Sequence, residues 1–260
     1  MTPAAWWSTA ADRLTRAQRA LLALDFDGTL APLVDDPEDS RVLPAGAKAL
    51  HALAQVPSLQ LALVSGRPIN DLARLALPPE GTHLAGSHGA EFGQVKDQHL
   101  CLIPQELSPA QQERLEQIEQ GLEQLVVTAG KPAGAWVEHK PFAHVLHTRL
   151  VSDAGTAARI SAEAEDLGRE LQGHVLAGKN VVEISVVPAG KAGALRQLRT
   201  DLDVSVVAFA GDDVTDELAL RTLEATDVSI RVGPGTTAAQ FRVQDPAEMC
   251  QFLGFLVLQY

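Results

Sequence analysis

The sequence predicts an α/β protein: a Rossmann-like core built on a parallel sheet, with a smaller α+β domain inserted into it. Near both ends of the chain, short apolar segments alternate with amphipathic helical segments, a rhythm typical of parallel strands joined by helices. In the middle, a helix, two strands, a helix and two strands follow one another instead. We therefore expect a core at 1–103 and 187–260 and an inserted domain at 104–186.

The first part of the core is predicted from apolar runs and the breaks between them. Buried strands are expected at Leu21–Leu24 and Leu59–Val64, because each run is continuously apolar and ends in a polar, Gly-containing segment. Helices are expected at Ala45–Gln55 and Asn70–Leu77, and the stretch "HLAGSHGAEF" predicts a third strand and a turn.

The inserted domain begins with a polar stretch that has apolar residues at helical spacing. Ser108 is expected to cap this helix, with Pro109 at its first position. Two strands joined near Pro141, a second helix at Asp153–Leu171 and two strands around a turn at 178–180 complete this domain. The core then resumes with the following elements: a helix from about Lys191, a strand at Val204–Ala210, a helix from Thr215, a strand in "VSIRVG" and a helix after Pro246.

Composition excludes several classes of protein. The chain has 260 residues, 46% of them hydrophobic and 21% charged, as in ordinary globular proteins. A formal charge of −12 argues against a nucleic-acid-binding surface, which needs clustered Lys and Arg. The chain start lacks a signal-peptide pattern and no apolar run is long enough to cross a bilayer, so we expect a cytoplasmic protein without a membrane partner. Cys101 and Cys250 have no metal-ligand spacing and are expected to be buried, reduced side chains.

Aspartates follow two of the predicted strands. Asp25 comes directly after the first strand, and Asp212 follows the strand at Val204–Ala210 in "GDDVTDE". If these strands are neighbours, several carboxylates converge at the carboxyl edge of the sheet, where open α/β sheets bind ligands. Such a cluster repels itself unless it binds a cation, and Mg2+ prefers oxygen ligands. By itself, "GDDVTDE" is equally well read as a solvated loop with a helix cap.

The stretch "LDFDGTL" places a second aspartate, Asp27, two residues after Asp25. A tight turn beginning at Gly28 is expected to bring both carboxylates toward one cavity, because glycine adopts the backbone conformations that such a turn needs. One carboxylate can then act as a nucleophile and the other as acid and base. Thr29 and Ser65, the latter in "VSGR", each offer a hydroxyl for phosphate oxygens, and Lys191 offers an ammonium group. Taken alone, Ser65 is equally explained as a turn residue and Lys191 as a solvated side chain.

The chain resembles the haloacid dehalogenase-like phosphatases in four motifs and in their order along the chain: "DFDGTL", "SGR", a Lys and "GDDVTDE". More narrowly, the chain resembles the trehalose-6-phosphate phosphatase family over roughly Leu21 to Gly235. The segments that carry this resemblance are "LALVSGRP", "LAGSHGAEF", "VEHKPFAHVLHTR" and "GKNVVEI". The resemblance implies a phosphoric monoester hydrolase that acts on a small sugar phosphate with Mg2+ and forms an aspartyl-phosphate. It also implies that the inserted domain is a cap that recognises the sugar.

The resemblance further implies a role for each site residue. Asp25 would attack phosphorus and Asp27 would move protons, while Thr29, Ser65 and Lys191 would hold the phosphoryl oxygens. Mg2+ would be bound by Asp25, the Asp27 carbonyl group and Asp212, with Asp213 and Asp216 acting directly or through water. The sugar would be bound by Arg67, His88, Glu91, Lys179 and Glu183, each of which is otherwise an ordinary polar residue.

Three other functions remain open at this point. A sucrose-phosphate or mannosyl-3-phosphoglycerate phosphatase would keep the chemistry and change the substrate. A phospho-accepting receiver would also use Asp, Ser or Thr, Lys and Mg2+, although its acceptor Asp follows an earlier acidic pair. A domain without activity that assists a synthase would be expected to lack at least one of the acids, all of which are present here.

Overall fold

The computed structural model describes residues 5–104, 106–128, 134–178, 180–187 and 190–260. The chain divides into two compact units. The core unit consists of Met1–Gln105 and Gly190–Tyr260, and the inserted unit consists of Glu106–Ala189.

The core unit is built on one mixed sheet. Its strands are β1 (Ala20–Leu24), β2 (Leu59–Val64), β3 (His83–Gly86), β4 (Glu91–Lys96), β5 (His99–Ile103), β10 (Val206–Gly211), β11 (Val228–Val232) and β12 (Phe241–Val243). Within the described residues they form an eight-stranded sheet in the order β12-β11-β10-β1-β2-β3-β4-β5. The pairs from β12 to β3 are parallel, while β3–β4 and β4–β5 are antiparallel. The central strand β1 therefore has a parallel neighbour on each side.

Helices cover both faces of this sheet. They are α1 (Ala5–Arg16), α2 (Pro44–Leu53), α3 (Ile69–Ala76), α6 (Gly190–Asp201), α7 (Val214–Leu220) and α8 (Pro246–Val257). Alternate residues of β1 face opposite sides, as the period of a strand requires. Leu22 and Leu24 pack in one apolar cluster with α1, α2, α3 and α8, whereas Leu21 and Ala23 pack in a second cluster with α6 and α7.

The inserted unit is a two-layer α+β structure. Its antiparallel strands β6 (Trp136–Lys140), β7 (Ala143–His147), β8 (His174–Gly178) and β9 (Val181–Ser185) lie in the order β6-β7-β9-β8. The helices α4 (Pro109–Thr128) and α5 (Ala154–Glu170) cover one face of this sheet, because Leu146, Val182 and Ile184 share an apolar cluster with Ile118 and Ile160.

The start of α4 confirms the predicted cap. The Gln111 backbone N–H donates to Ser108 Oγ at 3.3 Å, and the Ser108 N–H donates to Gln111 Oε1 at 2.9 Å. The two residues thus satisfy each other's free groups at the helix terminus. Of the helices within the described residues, none combines the length and apolar character needed to cross a membrane.

The predicted fold class is confirmed, with three corrections to its details. Helix α1 and the antiparallel pair β4–β5 were not predicted, and they extend the layers on both sides of the central strands. The edge strand β5 contains the apolar run Leu100–Ile103, yet most of its side chains are exposed. Cys101 lies on this strand and is exposed, so its predicted burial is wrong; Cys250 is buried as predicted.

Candidate active site

Three strand ends meet at the carboxyl edge of the core sheet. Asp25, Ser65 and Asp212 directly follow β1, β2 and β10. Leu24 is paired with Leu63 on one side and with Ala210 on the other, so these strands end at the same level. The Asp25 N–H donates to the Ala210 carbonyl oxygen at 2.9 Å. The strands that carry Asp25 and Asp212 are therefore neighbours, which is the condition for a shared site.

Lys191, in the first turn of α6, joins two of the carboxylates. Its Nζ donates to Asp25 Oδ1 and to Asp216 Oδ1, each at 2.7 Å. All three side chains are buried, at 2%, 5% and 0% exposure. Burial by itself lowers the pKa of Lys191, but the carboxylates of Asp25 and Asp216 outweigh this effect and raise the pKa above its usual range. Lys191 is thus a buried cation and not the solvated side chain of the alternative interpretation.

The carboxylates at this site outnumber the ammonium group. Oxygens of Asp25, Asp212 and Asp216 lie within 4.8 Å of one another. Burial raises the pKa of Asp25 well above its usual value, raises that of Asp212, and raises that of Asp216 to about 6. This buried, all-oxygen set with excess negative charge fits a hard divalent cation such as Mg2+.

The turn at Gly28 brings the loop after β1 against this cluster. Gly28 has φ +77°, and a Cβ atom added there would lie 2.2 Å from Asp212 Oδ2. A side chain at this position would therefore be strained and would also displace a carboxylate of the cluster. The glycine explains how the loop approaches Asp212 closely enough to share one cavity with it.

The two hydroxyl groups predicted to bind phosphate, those of Thr29 and Ser65, are buried. Thr29 is fully buried, and its Oγ1 has no hydrogen-bond partner among the described residues. A buried hydroxyl without a partner costs free energy, so such a group is expected where a ligand supplies the missing partner. Ser65 is 2% exposed, and its Oγ accepts a hydrogen bond from the Arg67 N–H at 3.2 Å.

Asp27 lies in a network of its own. Arg67 Nε donates to Asp27 Oδ2 at 2.5 Å and an Arg67 Nη donates to Oδ1 at 2.8 Å, forming a two-point ion pair. Ser40 Oγ donates to the same Oδ1 at 2.7 Å, and the guanidinium group also lies over the Phe26 ring, 5.4 Å from its centroid. Ser40 was not predicted as a site residue, because a serine 13 residues after Asp27 in a polar loop carries no motif. Arg67, predicted to bind substrate, has Asp27 as its partner in this structure.

Asp213 and Asp216 differ in their surroundings. Asp213 caps α7: its side chain accepts from the Asp216 N–H, and the Asp216 side chain accepts in turn from the Asp213 N–H. Although burial raises the pKa of Asp213, hydrogen bonds from Asp216, the charge of Lys191 and a hydrogen bond from Thr215 outweigh this effect and lower that pKa. Asp216, by contrast, joins Asp25 and Asp212 in the cluster. Asp213 is not part of that group.

His88 and Glu91 lie in the segment after β3. His88 is exposed with φ +57°, and its ring packs so closely on Gly66 that a Cβ there would lie 2.6 Å from His88 Cε1. Partial burial of the ring, and then the charge of Lys191, lower the pKa of His88. Glu91 Oε2 accepts hydrogen bonds from the Ile69 N–H at 3.0 Å and from Ser87 Oγ at 2.5 Å, so it anchors the start of α3.

The inserted unit presents polar groups on the face of its sheet opposite to the helices. Glu183 pairs in register with Val145, which pairs with Glu138, so these residues share one face. On that face Lys140 Nζ donates to Glu183 Oε2 at 2.7 Å, and His147 Nε2 lies 2.7 Å from Glu138 Oε2. The predicted sugar-binding residue Lys179 lies outside the described residues.

Comparison with known proteins identifies the family of the chain. A family model described as trehalose-phosphatase matches residues 23–247. The chain belongs to the trehalose-phosphatase family. A trehalose-phosphate phosphatase of Mycobacterium ulcerans is 32% identical over 254 residues, which cover 93% of this chain and 62% of that protein. An uncharacterized glycosyl hydrolase of Mycobacterium tuberculosis is 34% identical over 258 residues, covering 94% of this chain and 19% of that protein.

Solved structures resemble this trehalose-phosphatase family member in fold. A trehalose-6-phosphate phosphatase of Aspergillus fumigatus has a TM-score of 0.77 at 22% identity, and the match covers 100% of both chains. The C-terminal domain of the Candida albicans trehalose-6-phosphate phosphatase has a TM-score of 0.59 at 21% identity, with 99% of this chain and 98% of that one covered. The chain spans less than two thirds of the length of the curated relatives described above.

Proposed function

We propose that this chain is a Mg2+-dependent phosphatase that hydrolyses trehalose 6-phosphate to trehalose and inorganic phosphate. The observation that carries the proposal is the buried group at the end of β1, where Asp25 accepts a hydrogen bond from Lys191 and lies in one carboxylate cluster with Asp212 and Asp216. A carboxylate in contact with a fixed ammonium group and an oxygen-rich cation site is suited to attack phosphorus. Membership of the trehalose-phosphatase family supports the choice of sugar.

The first half of the reaction transfers the phosphoryl group to Asp25. An oxygen of Asp25 attacks phosphorus and forms a phosphorus–oxygen bond, while the bond between phosphorus and the sugar oxygen breaks. Asp27 gives its proton to that sugar oxygen, which leaves as an alcohol. Lys191, Thr29 and Ser65 hold the phosphoryl oxygens, and the hydroxyl of Thr29 thereby gains a partner, which it lacks among the described residues.

The second half releases phosphate. A water molecule attacks phosphorus, Asp27 takes a proton from the water, and the bond between phosphorus and Asp25 breaks. Asp25 returns as a carboxylate, inorganic phosphate leaves, and Asp27 is again protonated for the next cycle. In the free protein both oxygens of Asp27 accept hydrogen bonds from Arg67 or Ser40, and Arg67 is also proposed to contact the substrate.

Residues at the cluster would hold Mg2+ through oxygen atoms. Asp25, Asp212 and the Asp27 carbonyl group are the proposed ligands, with Asp213 and Asp216 acting directly or through water. When bound, Mg2+ neutralises negative charge that builds up on the phosphoryl oxygens. Asp216 also holds Lys191, so it orients the ammonium group whether or not it contacts the ion.

We also propose that the inserted unit is a cap that recognises the sugar. A disaccharide presents hydroxyl groups, which are bound by charged and polar side chains. Glu183 lies on the polar face of the inserted sheet and, together with Lys179, is proposed to bind these hydroxyls. Arg67, His88 and Glu91 of the core unit are proposed to contact the same substrate.

A panel of substrates tests the proposal. Phosphate release is measured with Mg2+ from trehalose 6-phosphate, sucrose 6-phosphate and mannosyl-3-phosphoglycerate, with the Asp25→Asn variant as the blank. We expect the highest kcat/KM for trehalose 6-phosphate. A preference for either other substrate would overturn the choice of sugar but keep the chemistry. Uptake of one phosphate without turnover would indicate a receiver, and no reaction at all would indicate an inactive domain.

A further inference from the structure

A second cluster of ligand-type side chains lies in the inserted unit. His139 on β6 and His144 on β7 are paired directly across the two antiparallel strands, so their side chains share one face. Glu119 comes from α4, which packs on both strands. The Nδ1 atoms of the two histidines are 3.2 Å apart, and His139 Nδ1 lies 3.3 Å from Glu119 Oε1.

These distances match the edges of a metal coordination sphere. Zn2+ binds imidazole nitrogen and carboxylate oxygen at about 2.0–2.2 Å, and the edge of a regular tetrahedron with such bonds is about 3.3–3.6 Å. One ligand atom from each of the three residues lies within 4.8 Å of the other two. The donor set of two imidazoles and one carboxylate is one that Zn2+ and similar divalent transition metals accept.

Hydrogen bonding alone satisfies the three residues poorly. If His144 Nδ1 carries the proton and donates to His139 Nδ1, then the lone pairs of His139 Nδ1 and Glu119 face each other. If His139 Nδ1 carries the proton, Glu119 and His144 compete for it. In both cases His144 Nε2 is buried without a partner among the described residues. A cation bound to both Nδ1 atoms removes the first conflict, because all three lone pairs then point toward positive charge.

The surroundings suit a site with one open position. His144 is 4% exposed, and burial lowers its pKa, which favours the neutral imidazole. The side chains of His139 and Glu119 are 47% and 41% exposed, so water can reach the centre of the three donors. Glu123, one turn after Glu119, lies 3.9 Å from His139 Nε2 and adds negative charge nearby.

We propose that Glu119, His139 and His144 form a site for one divalent transition metal ion of the Zn2+ class. The bound ion joins helix α4 to the β6–β7 pair and thereby stabilises the inserted unit. The site is separate in composition from the aspartate cluster, because it contains imidazole nitrogen, which Mg2+ does not favour.

Metal titration of the whole chain tests this site. Zn2+ or Co2+ is added with Mg2+ in saturating excess, which occupies the aspartate cluster, and binding is followed by calorimetry and by the visible absorption of Co2+. We expect one equivalent of either ion to bind, with the absorption of nitrogen-ligated tetrahedral Co2+. The His139→Ala variant, whose side chain is half exposed, is expected to bind at least about tenfold more weakly.

Two further variants sharpen the result. Glu119→Gln removes the carboxylate charge without removing an imidazole and is expected to weaken binding, whereas His99→Ala removes an exposed histidine from the core unit and is expected to leave it unchanged. Zn2+ should also raise the Tm of the wild type more than that of His139→Ala. A wild type that binds Zn2+ no more tightly than His139→Ala would overturn the proposal, as would equal weakening by His99→Ala.

Discussion

Lys191 Nζ lies 2.7 Å from Asp25 Oδ1, although the two residues are 166 positions apart in the chain. The inserted unit separates them in sequence, and the parallel pairing of β1 with β10 and the packing of α6 bring them together. The ammonium group is shared with Asp216, so one cation partly neutralises two buried carboxylates. This leaves Asp25 fixed in position and the cluster short of positive charge.

Replacing Asp25 by Asn tests the proposed nucleophile. The amide has the same shape but cannot form an aspartyl-phosphate, so turnover should fall by at least about 10⁴-fold. Because the change removes a buried negative charge from a repelling group, we expect no loss of stability in the absence of Mg2+. Phosphate release and chemical unfolding measure the two effects. Substantial remaining phosphatase activity would rule out Asp25 as the nucleophile.

Gly28→Ala tests the close approach of the loop to Asp212. Both Gly28 and Gly81 have positive φ, at +77° and +83°, but an added Cβ meets Asp212 only at Gly28 and open space at Gly81. Each substitution should cost about 1–2 kcal/mol in backbone strain. Only Gly28→Ala should also weaken Mg2+ binding and lower kcat, measured by Mg2+-dependent phosphate release. Equal activity of the two variants would contradict the role given to this glycine.

Thr29→Val removes a hydroxyl whose partner is proposed to be the phosphoryl group. The free energy of unfolding of the ligand-free protein should stay unchanged or rise by about 1 kcal/mol, because the substitution removes a buried hydroxyl that has no hydrogen-bond partner among the described residues. Binding of inorganic phosphate should weaken about tenfold or more, since a hydrogen bond to a charged group is lost.

Thr82→Val is the matched control for this change. Thr82 is also buried and its Oγ1 also lacks a partner among the described residues, but it lies directly before β3. We expect a similar effect on unfolding and none on phosphate binding. If both variants bind phosphate like the wild type, Thr29 is not a phosphate ligand.

Ser40→Ala tests whether the hydroxyl that contacts Asp27 matters for proton transfer. Loss of the 2.7 Å hydrogen bond leaves Asp27 less well oriented, so kcat should fall about tenfold while KM changes little. Ser205→Ala, which removes an exposed hydroxyl bonded to the Arg19 carbonyl oxygen, should change neither constant. A rise in KM without a change in kcat would instead indicate that Ser40 contacts substrate.

His83 is expected to make stability depend on pH. It is buried at the start of β3, and burial, followed by the charge of Lys96, lowers its pKa below 6.5, while Asp201 opposes the shift weakly. The unfolded chain therefore binds the proton more tightly than the folded one, so stability is lost as pH falls through 6.5 toward the lowered pKa. The free energy of unfolding should rise with pH in this window, and more steeply for the wild type than for His83→Gln. Parallel curves for the two proteins would exclude this contribution.

Much of the core could be predicted because its strands are short, continuously apolar and closed by polar turns. β2 has the predicted bounds, and β1 begins one residue earlier than predicted. The β4–β5 pair is not evident from the sequence: the apolar run Leu100–Ile103 is short, and its exposed place at the sheet edge depends on pairing with β4. Helix α1 is amphipathic, but a targeting segment can show the same pattern, so apolar spacing alone does not assign this helix to the core.

The sequence by itself determined which residue types stand at the ends of the strands, since a polar residue directly after a buried apolar run marks such an end. Only the tertiary structure decided how these residues pair. Asp216 and not Asp213 joins Asp25, because the first turn of α7 uses Asp213 as its cap and turns Asp216 toward Lys191. Likewise Arg67 and Ser40 converge on Asp27 from distant loops. Such pairings depend on the approach of segments far apart in the chain, which local propensity and spacing do not encode.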